Sequence, residues 1–175
     1  MIHCSPPVLG FAAFSGTGKT TLLRQLIPLL QAESLKIGVI KHSHHDFEID
    51  KPGKDSYELR RSGASPVLLV SKYRRAIVEE FHNGDEVQLA DQVTALSVTK
   101  LDLILVEGFR HEAFPKIELH RPALGKPLLQ PDDPWIIAVA SDRPIPTPPN
   151  CPCLDLNAAE SIVEFILDQF LSRIP

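Results

Sequence analysis

PVLGFAAFSGTGKTTLLRQL (residues 7–26) joins a short apolar run to a glycine-rich turn and then to a helical stripe. The run 7–14 reads as a strand buried on both faces. Leu22, Leu23, Leu26, Ile27 and Leu30 then recur at the spacing of one helix face. Pro28 lies inside that stripe. It should leave the Arg24 carbonyl without its amide partner and bend the helix, or end it early. A buried strand, a glycine turn and a helix form the setting in which a chain can hold phosphate.

The turn itself matches the phosphate-loop spacing from Gly18 onward, with Ala13 where the strict form has glycine. That departure adds only a methyl group at the end of the strand. Gly16 and Gly18 allow the amides of Ser15 to Thr21 to point inward, and the positive end of the helix adds to them. Lys19 supplies a mobile charge for the outer phosphates, and the Thr20 hydroxyl is placed to hold magnesium. Thr17 and Thr21 complete the predicted phosphate-binding set.

Outward from this loop, strand-like runs alternate with helical ones: KIGVIKH (36–42), KDSYELRRSGA (54–64), GDEVQLADQVTALS (84–97), LDLILVEGF (101–109), WIIAVASD (135–142) and NAAESIVEFILDQFLSRI (157–174). PKIELHR (115–121) is a weaker strand, and 65–72 with 74–81 reads as a hairpin around Tyr73. Gly63 should stop the 54–64 helix, and Ile162, Phe165, Ile166, Gln169 and Phe170 should mark the inner side of the last one. The alternation predicts an α/β fold with a mostly parallel sheet, an antiparallel hairpin and helices on both faces.

In a parallel sheet phosphates sit at the carboxyl edge, and this selects further site residues. Asp102 and Glu107 share one strand, and their α-carbons are roughly 16 Å apart, so they cannot both reach one magnesium ion. Glu107 is the acid at the right edge, a metal ligand and, with Lys19, a candidate catalytic residue. Asp102 then belongs at the opposite edge as a structural residue. Ser141 and Asp142 end another strand at the same edge. An aspartate there can accept hydrogen bonds from N1 and the 2-amino group of guanine, which adenine does not offer; it can equally be a turn residue before Arg143.

The totals narrow the field. A chain of 175 residues with 43% apolar and 23% charged residues fits one globular domain. A formal net charge of -4 argues against nucleic acid as a partner, and no apolar run approaches a membrane span, so the cytoplasm is the expected compartment. Cys4, Cys151 and Cys153 make neither a disulfide framework nor a zinc motif. The prolines gathered between Pro127 and Pro152 predict a loop-rich stretch.

The segment VIKHSHHDFEIDKPGKDSYELRRSGA (39–64) carries His42, His44 and His45, with no cysteine near and no zinc-ligand spacing. It leaves the second strand at the phosphate edge, so Asp46 is a candidate to join the magnesium shell through water. Lys41, Lys51 and Lys54 are candidates for phosphate on a second ligand. The pieces FSGTGKTTLL, IKHSHHDFEIDKPGKDSYELRRSGA, LDLILVEGFRHE and IAVASD occur in that order. Together they resemble the molybdopterin-guanine dinucleotide biosynthesis protein B family over nearly the whole chain.

The resemblance implies a three-layer P-loop NTPase fold of the SIMIBI-like group that binds GTP with Mg2+ through Gly16 to Thr21. It also implies a homodimer with poor GTP hydrolysis that assists the partner transferase joining GMP to molybdopterin. Molybdopterin is a further candidate ligand on a separate reading, that of a storage or carrier protein for it. The family pattern lapses after Arg121, in PALGKPLLQPDDP. Slow hydrolysis also has a local reason. No glutamine follows the Glu107 strand to orient water, and Arg110 or Arg143 would serve only with their loops folded inward. The rival reading is a P-loop kinase acting on a small metabolite, with Asp46 or Asp55 as base and Arg60 and Arg61 as clamps.

Overall fold

In chain order the elements are β1 (Val8–Ala12), α1 (Lys19–Ala32), β2 (Ile37–Lys41), α2 (Asp55–Arg61), β3 (Val67–Val70), β4 (Arg75–Val78), α3 (Leu89–Leu96), β5 (Leu103–Glu107), β6 (Lys116–His120), β7 (Ile136–Ser141), β8 (Cys153–Asp155) and α4 (Ala159–Phe165). The computed structural model describes residues 6–43, 46–81, 86–97, 99–147 and 149–173. They pack as two units, Met1–His42 with Gln88–Pro175, and Ser43–Val87.

The first unit is built on a six-stranded sheet in the order β2-β5-β1-β6-β7-β8. Every pairing in it is parallel. Leu9 and Phe11 of β1, Leu103 and Leu105 of β5, and Ile117 and Leu119 of β6 share one buried cluster with Leu22, Leu23, Leu26 and Leu30 of α1 and Ile162 and Val163 of α4. The alternate residues of these strands face the other way, where Leu96 of α3 approaches Ile104 at Gly38. Helices therefore cover both faces. Each leucine so enclosed stabilises the fold by roughly 1.5–3 kcal/mol.

β6 lies in the interior of the sheet and is buried along its whole length. Two of its buried polar side chains, Lys116 and Glu118, have partners. Lys116 Nζ donates to the Glu112 carbonyl at 2.6 Å and pairs with Asp133 at 3.1 Å. Glu118 accepts from the amides of Leu129 and Gln130, both at 2.8 Å. Burial raises the Glu118 carboxyl above its ordinary pKa against the pull of those two amides.

α1 does not end at Pro28 but continues to Ala32. α3 begins at Leu89, later than the pattern suggested, and residues 84 and 85 of the expected helix lie outside the described set. After α4 the chain takes one π-helical stretch, Ile166–Phe170. The wider turn leaves Gln169 exposed, a correction to its expected inner position, and brings Phe170 to the core. β8 was not expected. It is a three-residue edge strand directly after the proline-rich stretch. Cys151 is half-buried, which pushes its thiol pKa up, and Cys153 is exposed; Cys4 is outside the described residues.

The second unit holds α2 and the β3–β4 hairpin, which makes a two-stranded antiparallel sheet of its own. Ser71 Oγ accepts the Tyr73 and Arg74 amides at 3.2 Å each and so closes the hairpin turn. Gly63 ends α2 as expected, with φ of 101° and its amide on the Arg60 carbonyl. Arg60 binds Asp50 at 2.8 Å and also binds Glu80, tying the loop before α2 to the chain after β4. Leu68, Val70, Tyr73 and Ile77 of the hairpin are exposed.

Candidate functional site

The loop Phe14–Gly18 leaves β1 at the carboxyl edge of the sheet and turns directly into α1. Gly16 and Gly18 take φ of 82° and 103°, the left-handed region that glycine enters without a Cβ clash. Gly18 caps α1 with its backbone alone, and the Leu22 amide makes the first bond back, to the Gly18 carbonyl at 3.0 Å. The amides of Lys19, Thr20 and Thr21 precede that bond and have no place in the helix ladder, so the helix offers them with its positive end. Thr17 is buried and donates its hydroxyl to the Phe14 carbonyl at 2.8 Å, which sets the loop's curvature.

Lys19 arches over this loop and donates to the Ala13 carbonyl at 3.0 Å. Partial burial lowers its pKa below the ordinary lysine value; Glu107 opposes that shift, while Arg110 and Lys41 add to it. Thr20 Oγ1 donates to Glu107 at 3.2 and 3.4 Å, and Lys41 Nζ lies 3.6 Å from the same carboxylate. Strand end, helix start and neighbouring strand thus converge on one carboxylate. A hydroxyl and a carboxylate oxygen at this separation suit magnesium, whose bonds of about 2.1 Å set adjacent octahedral ligands about 3 Å apart. Among the described residues no group of three or more His, Cys, Asp or Glu side chains gathers. A magnesium site here would therefore use Thr20, Glu107 and the phosphates of the ligand itself.

The turn after Glu107 is tightly built. Gly108 has φ of 113°, and a Cβ there would stand 2.5 Å from the His42 Cβ. The His42 amide bonds the Glu107 carbonyl at 2.8 Å, and its ring stacks on Phe109 with centroids 4.5 Å apart. Phe109 takes φ of 50°. These contacts fix the direction in which Glu107 leaves the sheet.

Two strands from β1, Asp142 follows β7. Its Oδ2 accepts from Arg121 Nη1 at 2.7 Å, and its Oδ1 is buried without a partner among the described residues. Ser141 commits its hydroxyl to the Arg143 carbonyl at 2.7 Å, closing the turn that carries Asp142. A cavity of about 340 Å³ is lined by Ser141, Asp142, Ile145, Cys153, Leu154 and Asn157. A second of about 150 Å³ lies beside the helix start and is lined by Gly18, Thr21, Gln25, Arg121 and Asn157. The phosphate loop and Asp142 are thus joined by a row of concave surface that shares Asn157.

The structure gathers Ser15 to Thr21 and Glu107 at one rim, and places Ser141 and Asp142 further along the same edge. Asp46 is exposed and belongs to the second unit. His44 and His45 lie outside the described residues. Asp102 accepts the Lys36 amide at 2.7 Å at the far edge, the structural place its strand position implied. Arg121 and Asn157 were missed by the sequence reading. The rule that selected Glu107 and Asp142, the end of a strand at the carboxyl edge, applies equally to Arg121 after β6.

A profile of the family described as molybdopterin guanine dinucleotide synthesis protein B matches residues 8–142. A molybdopterin-guanine dinucleotide biosynthesis adapter protein of Escherichia coli (strain K12) is 47% identical over 163 residues, covering 93% of this chain and 92% of that protein. The protein of the same name from Haemophilus influenzae is 42% identical over 160 residues, covering 91% and 87%. A crystal structure of molybdopterin-guanine biosynthesis protein B superposes with a TM-score of 0.71 at 24% identity, covering 95% of this chain and 99% of the other, a likeness of fold. Among the described residues no helix is long and apolar enough to cross a membrane. On the profile match and these two relatives, the chain belongs to the molybdopterin guanine dinucleotide synthesis protein B family.

Proposed function

We propose that this chain is a GTP-binding adapter of molybdopterin-guanine dinucleotide biosynthesis. In this reading it is a cytoplasmic homodimer that works as one nucleotide-binding domain beside the transferase joining GMP to molybdopterin, and it hydrolyses GTP slowly. The adapter role rests on the family and the names of its relatives. The observation that supports nucleotide binding is the convergence of the α1 amides, Lys19 and the Thr20–Glu107 pair on one rim.

The amides of the loop and the first turn of α1 hold the phosphates, and Lys19 moves from the Ala13 carbonyl to the outer oxygens. Thr20 and Glu107 would hold Mg2+, which when bound offsets phosphate charge. Asp142 accepts from guanine at the far end of the row. Slow turnover has support in the side chains near the rim. Arg121 is held by Thr17 and Asp142, so its guanidinium is committed there and is not free to stabilise developing charge. The kinase reading would need Arg60 as a substrate clamp, and Arg60 is bound to Asp50 and Glu80.

The test is calorimetry of GTP against ATP with magnesium, joined to GTP turnover with and without the partner transferase and to light scattering for the dimer. Preferential GTP binding with slow turnover is expected. Preference for ATP with a phosphorylated metabolite as product would establish the kinase instead.

A further inference from the structure

We infer that Arg121 is a positioning residue that couples selection of the base to the shape of the phosphate loop, an inference that rests on the guanine reading of Asp142. Arg121 follows β6, which lies between β1 with its loop and β7 with Asp142. Its guanidinium makes a different contact on each side. Nε donates to the Thr17 carbonyl at 2.8 Å, and Nη1 donates to Asp142 Oδ2 at 2.7 Å. Nη2 lies against the loop, 3.8 Å from where a Gly18 Cβ would stand. The same side chain lines the smaller cavity with Thr21 and Gln25.

The contact with Thr17 controls the loop. In a trans peptide the carbonyl and the following amide point in opposite directions, so holding the Thr17 carbonyl fixes the direction of the Gly18 amide. Gly18 is the residue at which the loop becomes helix. The contact with Asp142 controls the base end. It takes one of the carboxylate's oxygens, leaving Oδ1, buried and unpartnered among the described residues, as the remaining acceptor. Guanine brings donors for that acceptor and adenine does not. A planar fork can hold both neighbours at once, and an ammonium group cannot reproduce that geometry.

The experiment uses the full chain as wild type, Arg121→Ala, Arg121→Lys and Asp142→Asn, titrated with magnesium and GTP, XTP or ATP. Arg121→Lys is expected to melt near wild type yet lower the ratio of GTP to ATP affinity by about tenfold or more, and Arg121→Ala to lower it at least as far. If both nucleotides weaken by the same factor, or neither weakens, Arg121 only braces the loop and the inference is overturned. The underlying reading has its own arm. Asp142→Asn should shift preference from GTP toward XTP, whose 2-oxo group accepts from the new amide. An unchanged preference there refutes the guanine reading, and this inference falls with it.

Discussion

Lys19 carries a charge into a partly buried place beside two other cations, so the ligand-free protein holds its proton less tightly than the unfolded chain does. The unfolded chain then binds more protons between the lowered pKa and the ordinary 10.5, and stability of the free protein rises with pH across that window. Phosphate reverses the balance by favouring the ammonium form. GTP binding is therefore expected to take up protons as pH rises through the Lys19 pKa, and not well below it; titrations in buffers of different ionisation enthalpy measure this. Lys19→Ala should weaken GTP about a hundredfold or more while the melting temperature stays at or above wild type, because a desolvated charge has been removed. Glu107→Gln is expected to keep the Thr20 contact but flatten the dependence of GTP affinity on magnesium concentration. A variant that titrates with magnesium like wild type would return Glu107 to a purely structural role. These two residues were legible in the sequence because each sits where a strand or a glycine turn reaches the phosphate edge. Arg121 was passed over because the recognisable pattern lapses after it.

Among the elements, those with one clear period were read well. β1, α1, β5 and β7 are apolar on the faces they bury, and the Tyr73 hairpin follows from two short β-branched runs. β6 was undervalued because Lys116, Glu118 and His120 occupy alternate positions, as on a solvated face. Its interior place depends on Asp133, Glu112 and the 129–130 amides, partners that sequence spacing does not reveal. The displacement of Gln169 has the same kind of origin, since one π-helical turn shifts the face without changing composition. Pro28 offers a test at this scale. It is exposed, and α1 runs through it although the Arg24 carbonyl lacks an amide there. Pro28→Ala is expected to stabilise the protein by about 1–3 kcal/mol in urea unfolding, the restored bond outweighing the freer unfolded chain.

At the scale of the molecule, a parallel sheet closed on both faces is joined to a unit whose two-stranded sheet exposes apolar side chains. Isolated hairpins are marginal, whereas strands buried on both faces open only with the whole fold. Amides of β3 and β4 are therefore expected to exchange with deuterium orders of magnitude faster than those of β1, β5 and β6. Equal protection in both sheets would mean that residues 43–87 unfold together with the rest. The strand order also bears on how the protein is made. Among the described residues β1 pairs with β5 and β6 alone, and β2 with β5 alone. While the ribosome is still working through the first hundred residues, neither early strand has its native neighbour to zip against. The nascent segment must keep its leucine-rich helix and bare strand edges from sticking elsewhere until Glu107 has cleared the exit tunnel, so its hazard is aggregation during translation, and chaperone demand should drop once the second half emerges.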